Sequence, residues 1–244
     1  MVTRALDHLQ WPLGGIAGQR TRYSIRLLRY WFARSLLERL HLRLGRPLRI
    51  LEVGVGGAEL REFVGSPSWI ERWDGLDVNA PSGKRARYDD FVETDVEGPL
   101  YFARTYDAVV LSHVLEHLLK PEAAMARLLD AVVEGGVMIG GSPTMPTILA
   151  VPREAWLRRK NKSVRVTEHR HLSVITPKRI SRFARDHALE AELITGTFFL
   201  RWSGFFLENF SSWIRANLAW GAVFPALGGE LYFSLRKSVA ARPV

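Results

Sequence analysis

Ile50-Leu51-Glu52-Val53-Gly54-Val55-Gly56-Gly57-Ala58 is an apolar run that closes on an acid and passes straight into a glycine turn. Short bounded runs of this kind read as buried strands. Gly54 and Gly56 allow positive φ and let a ligand lie against backbone N–H groups that a Cβ would screen. A helical pattern starts at Ala58, with Leu60, Phe63 and Val64 on its apolar side. Strand, tight turn and helix in that order build a nucleotide pocket.

Outward from this stretch, the apolar segment Trp73 to Leu76 ends at Asp77, and the short segment Phe91 to Thr94 ends at Asp95. Asp77 lies about twenty residues past the glycine turn, where a ribose-binding carboxylate belongs in such an architecture. Glu52, Gly54, Gly56, Asp77 and Asp95 thus fall at successive strand ends, the edge at which open parallel sheets bind ligands. A turn at Pro81-Ser82-Gly83 and a fourth strand, Asp107 to Leu111, continue the alternation. The pattern then predicts a helix over Pro121–Val133 stopped by Gly135-Gly136, and a fifth strand Val137–Ile139. Thr176-Pro177 opens a helix through His187, and a sixth strand follows around Leu193–Leu200.

Together, Glu52-x-Gly54-x-Gly56, the Asp77 of Gly75-Leu76-Asp77-Val78, the Asp95 of Thr94-Asp95-Val96 and the run from Tyr106 through Ser112-His113-Val114-Leu115-Glu116-His117 resemble a class I S-adenosylmethionine-dependent methyltransferase. The chain is most similar to the small-molecule and glycan group whose fourth strand leads into Leu-Glu-His. The likeness covers roughly residues 48–143 and continues more weakly through Gly228-Gly229-Glu230-Leu231-Tyr232. A dinucleotide fingerprint instead wants a small residue three positions after the second glycine, where this chain has Glu59, and has no need of Glu52. Ala58 stands where the methyltransferase pattern often has a third glycine.

The resemblance implies an α/β, Rossmann-like, doubly wound sheet of seven strands, mostly parallel with an antiparallel edge strand Glu230–Leu235, plus helical N-terminal and substrate-side insertions. It implies S-adenosyl-L-methionine as cofactor and S-adenosyl-L-homocysteine as product. The backbone of Gly54, Gly56 and Gly57 would lie against the methionine and ribose, with Glu52 near the ammonium. Asp77, followed by Val78, would accept from both ribose hydroxyls, since a carboxylate offers lone pairs and no competing donor. Asp95 would accept from the adenine amino group and Val96 N–H would meet a ring nitrogen; a plain turn or helix-start acid is the other reading of Asp95. Ser112 would stand at the edge of the methyl-transfer cavity.

Methyl transfer is an in-line displacement at an already activated carbon, so alignment and exclusion of water come first. An alcohol acceptor gains from a base, and histidine suits neutral pH. His117 is the first candidate, implied by a histidine at this position in sugar methyltransferases of similar pattern; His113 is the second. Ordering a loop by His117 and capping a helix by His113 are the alternatives. The spacing His113-x-x-Glu116-His117 also matches an inverted zinc-protease motif. Its place directly after a buried strand, in a chain with three cofactor-type strand ends, argues against that, and no metal is expected. In Glu168-His169-Arg170-His171, His169 or His171 would contact acceptor hydroxyls, or serve packing; as a metal pair they show no third ligand in the sequence.

At 244 residues with 47% hydrophobic content the chain suits one domain. It divides into an N-terminal helical cap (1–46), a cofactor core (47–143), a substrate-side insertion (144–175) and a C-terminal part with an aromatic amphipathic insertion (176–244). Tyr23–Leu44 reads as a basic amphipathic helix on Ile25, Leu28, Phe32, Leu36 and Leu40, and Arg20, Arg22 or Tyr23 would face the methionine carboxylate if this segment covers the pocket. Met145-Pro146 and Val151-Pro152 break regularity before the basic run that follows Trp156. Trp202, Phe205, Phe206, Phe210, Trp213, Ile214 and Leu218 share a helical face, read as core or dimer interface or as a membrane-surface face; Glu208 and Arg215 interrupt any spanning helix.

The absence of cysteine excludes disulfides, thiolate metal sites and cysteine nucleophiles. Residues 1–10 lack the apolar core of a secretory signal, which points to the cytoplasm, with the inner face of the membrane as a second location. The net charge of +9 points to an anionic partner. A small-molecule or glycan acceptor, free or linked to phosphate or lipid, is the leading reading. RNA is the weaker one, because Ser112-His113-Val114-Leu115 stands where an exocyclic-nitrogen methyltransferase has Asn/Asp-Pro-Pro-aromatic. A non-catalytic module on the same fold is the third.

Overall fold

Two strands buried along nearly their whole length form the middle of the sheet, as strands covered on both faces must be. They are β1 (Leu48–Val53) and β4 (Tyr106–Ser112), paired in parallel from Ile50 opposite Ala108 to Val53 opposite Leu111. The computed structural model describes residues 28–79, 82–161, 170–197, 207 and 210–238.

Around that pair, β2 (Ile70–Asp77), β3 (Phe91–Glu93), β5 (Val132–Pro143), β6 (Leu189–Thr197) and β7 (Glu230–Lys237) complete a seven-stranded sheet of order β3-β2-β1-β4-β5-β7-β6. The chain winds outward from β1 through β2 to β3, then returns to β4 on the other side of β1. This reversal opens a crevice between the ends of β1 and β4, the usual place for a ligand in such folds. β7 runs antiparallel to both neighbours. The expected antiparallel strand is present, but it is not the edge: β7 pairs on both sides and β6 is outermost.

Alternate residues of the central strands feed two cores. Leu48, Ile50, Ala108 and Val110 face α1 (Leu28–Leu44), α2 (Glu59–Val64) and α7 (Ser211–Val223). Leu51, Val53, Val109 and Leu111 face α4 (Pro121–Leu128) and α6 (Pro177–Asp186). Thr176 caps α6 by accepting from Arg179 N–H, as its Thr-Pro start predicts. Gly221 lets α7 touch β6, since a Cβ there would overlap the carbonyl oxygen of Gly196. At the start of β4, buried Asp107 takes the Arg46 guanidinium and the Arg49 N–H at 2.8 Å, tying the entry of β1 to β4.

Several expectations about elements change. The helix expected to reach Val133 ends at Leu128, and β5 begins at Val132, because Val132-Val133 favours extended backbone. Gly135 and Gly136 do not stop a helix; they fall in a bulge where Val132–Val137 spans only Tyr106–Ala108 of β4. Val151-Pro152 does not break regularity, for a helix, α5 (Thr147–Lys160), runs through it. Pro152 leaves Ile148 C=O without its helical donor, which an exposed first turn tolerates. β6 begins at Leu189, ahead of the expected Leu193, and is described to Thr197; residues 198–200 are outside the described residues. Of the aromatic stretch, Ile214 and Leu218 are core in α7, while Trp202, Phe205, Phe206 and Glu208 lie outside the described residues. So do Arg20, Arg22, Tyr23 and Ile25, and α1 is described from Leu28. Among the described residues no helix is long and apolar enough to cross a membrane.

Candidate active site

A cavity of about 220 Å³ opens where β1 and β4 part. Its lining brings together Glu52, Gly54, Gly56, Asp77, Val78, Asp95, Val96, Ser112, His113 and His117 from the ends of four strands. Gly57 lies in the same turn, outside this lining, and His169 lies outside the described residues.

The glycine turn is held in a shape that needs glycine. Gly54 has φ +71° and a Cβ on it would run into the Val114 side chain; Gly56 has φ +50°. Ala58, at φ +61°, takes the strain of a left-handed residue without being glycine. Asp77 fixes this turn from β2, accepting from Gly56 N–H at 3.0 Å and Asn79 N–H at 3.1 Å. Asp95 lines the cavity and also accepts from Glu97 N–H at 2.8 Å, so its turn role and its pocket position coexist.

Glu52 is 3% exposed at the base of the cavity and accepts a hydrogen bond from Tyr88 OH at 3.1 Å. Burial pushes its carboxyl up to about 8, and the Tyr88 bond only partly offsets this. Arg29 and Tyr30 of α1 enter the same cavity.

At the end of β4 the backbone turns sharply, with His113 at φ +57°. Its Nδ1 lies 3.1 Å from Glu116 Oε1 and its Nε2 3.8 Å from Glu230 Oε2. Burial works against the imidazolium, but these two buried carboxylates outweigh it and lift His113 to about 9. In return the His113 charge holds the Glu116 carboxyl below its ordinary value despite burial. Tyr232 OH donates to Glu230 at 2.5 Å, and Ser142 Oγ–H donates to Glu116 Oε2 at 2.8 Å.

His117 follows in a short 3-10 turn (Leu115–His117), and its Nδ1–H donates to Arg170 C=O at 3.1 Å. His171 meets it edge-on, ring centroids 5.1 Å apart. Burial, aided by the neighbouring His117, keeps His171 below the ordinary imidazole range.

Sequence reasoning passed over Tyr88, Glu230, Arg29 and Tyr30. The arginine spacing on α1 was the signal for Arg29, but it reads as a solvated face. Nothing local marks Tyr88 or Glu230, which reach the site only through sheet packing.

An open α/β sheet with a glycine turn and acids at its switch point defines a nucleotide-cofactor enzyme. A family model for a methyltransferase domain matches residues 23–192. The chain belongs to this methyltransferase-domain family and is an S-adenosylmethionine-dependent methyltransferase. No curated protein shows significant sequence similarity to it.

Solved structures share its fold at low identity. N-methyltransferase NodS from Bradyrhizobium japonicum WM9, in complex with S-adenosyl-L-homocysteine, is 16% identical with a TM-score of 0.53, covering 97% of this chain and 96% of that one. The plantazolicin methyltransferase BpumL, in complex with the same product, is 14% identical with a TM-score of 0.55, covering 87% of this chain and 85% of its own. The [4+2]-cyclase SpnF is 17% identical with a TM-score of 0.52, covering 98% and 94%. A cyclase among these folds means that the site, not the fold, must decide the chemistry.

Proposed function

We propose that the protein methylates a hydroxyl oxygen of a small molecule or of a sugar carried on phosphate or lipid. The observation that carries this reading is His117 lining the same cavity as the glycine turn, Glu52, Asp77 and Asp95.

The cavity fits S-adenosylmethionine. Gly54 and Gly56 hold the positive-φ turn that lines it, Asp77 and Asp95 would supply carboxylates for ribose and adenine, and Val78 and Val96 flank them. Glu52 and Arg29 line the same cavity and would take the ammonium and the carboxylate of the methionine part. When bound, the cofactor supplies a methyl carbon activated by positive sulfur. Ser112 borders the acceptor side, and Leu60, Leu76 and Leu118 help exclude water.

His117 takes the acceptor's proton. The carbonyl of Arg170 can only accept, so the proton sits on Nδ1 and the lone pair on Nε2. His113, held charged between Glu116 and Glu230, serves to position the β4 turn. An acceptor on an anionic or lipid carrier suits the outward face of α5, where Ile148, Leu149, Val151 and Trp156 are exposed beside Arg153, Arg159 and Lys160.

Transfer of labelled methyl from S-adenosylmethionine to a panel of sugar phosphates and small alcohols tests the reading. With an acceptor in hand, His117→Ala should lose at least about a hundredfold in turnover while keeping its affinity for S-adenosylhomocysteine. A fully active variant would remove His117 from this role.

A further inference from the structure

We propose that Glu116, His117 and His171 bind one first-row divalent metal ion beside the methyl-transfer cavity, where the ion takes the acceptor's hydroxyl as a further ligand. The catalytic half of this inference rests on the proposed function; the binding half does not.

The three residues come from two segments that the fold brings together. A carboxylate oxygen of Glu116 and one ring nitrogen of each histidine lie within 4.8 Å of one another. In a tetrahedral site with bonds of about 2.0–2.1 Å, such atoms stand about 3.3 Å apart. His171 is the exposed member of the three, so its ring is the one with room to move inward on binding.

The backbone around this trio is built to hold it. Leu172 N–H and Ser173 N–H both donate to Glu116 C=O, at 2.7 and 3.0 Å, so the strand-end turn and the His171 segment are one unit. Ser173 Oγ–H donates to Leu118 C=O at 2.6 Å and Asn161 Nδ2–H to His171 C=O at 3.0 Å. The outer partners are those that metal ligands use. Nδ1 of His117 is engaged by a carbonyl, and one oxygen of Glu116 by the Ser142 hydroxyl.

Glu116 is 1% exposed, and its carboxylate is already oriented toward the trio by the Ser142 hydroxyl on Oε2 and by the His113 ion pair on Oε1. Two imidazoles and one carboxylate favour zinc, iron, cobalt or manganese over calcium or magnesium, which take oxygen cages.

The protease-like spacing in the sequence therefore names the wrong pair. His113, at the first histidine of that spacing, is enclosed by Glu116 and Glu230, and His171 supplies the second imidazole instead. With the ion present, His117 acts through it: the acidified hydroxyl gives its proton to solvent, its oxygen lone pair forms the bond to the methyl carbon, and the carbon–sulfur bonding pair leaves on sulfur. Without the ion, His117 receives that proton itself.

Chelator-treated protein titrated separately with Zn²⁺ and Mn²⁺ tests the site, with retained metal counted by mass spectrometry after desalting. Wild type should hold one equivalent of at least one of the two, and His171→Ala should bind it at least about tenfold more weakly. S-adenosylhomocysteine affinity should be unchanged in His171→Ala, which shows that the variant is folded. Failure of wild type to hold either metal, or a His171→Ala affinity within tenfold of wild type, overturns the proposal. Absence of S-adenosylhomocysteine binding in wild type would instead strike the reading of the cavity and leave the metal result standing.

Discussion

A carboxyl sealed beneath the cavity, as Glu52 is, responds to pH in a direction that can be worked out. Its value in the fold is about 8, against an ordinary value of 4.5. The folded state therefore binds the proton more tightly between those limits. The stabilisation is complete below pH 4.5 and is lost as pH rises through about 8. Glu52→Gln cannot ionise, so its Tm should rise relative to wild type between pH 5 and pH 9 in thermal melts of the empty protein. A difference that stays constant with pH would contradict this. Glu52, Asp77 and Asp95 were legible in the sequence because each ends an apolar run at a fixed distance from the glycine turn. Tyr88 was not, because it lies 36 residues from Glu52 and only the sheet brings them together. Glu230 escaped for the same reason.

Elements whose pattern agrees with their surroundings were readable, and those that combine two demands were not. β1 and β4 carry the apolar cores Ile50-Leu51 and Ala108-Val109-Val110-Leu111, and α6 begins with Thr-Pro. β5, in contrast, starts with a bulge, so its glycines resemble a helix stop. α5 contains a proline and carries apolar residues on two sides: Ala150 and Leu157 face inward, while Ile148 and Val151 are 84% and 76% exposed. Arg153 and Lys160 lie over the Trp156 ring at 4.5 and 4.8 Å. An apolar face rimmed by cations fits the interface of an anionic membrane. In flotation experiments the protein should rise with vesicles containing anionic lipid and stay behind with neutral ones. Ile148→Asp/Val151→Asp should abolish the difference, and equal flotation of this variant would exclude α5 as the contact.

At the scale of the molecule, the alternation of strands and helices was enough to give the doubly wound sheet, because short connections and right-handed crossovers leave few other arrangements. The place of β7 between β5 and β6 was harder to read, since strand order is set by long-range pairing that leaves no local mark. The same long-range pairing delivers Glu52, Asp77, Asp95 and the Gly54–Gly57 turn to a single rim, and cofactor binding depends on all of them. Isothermal titration of wild type and Asp77→Ala with S-adenosylhomocysteine measures this directly. Loss of two hydrogen bonds to a charged group, each about 1.5–3 kcal/mol, should weaken binding by about a hundredfold or more. Equal affinity for both proteins, or no binding to wild type, would contradict the assignment of this rim as the cofactor site.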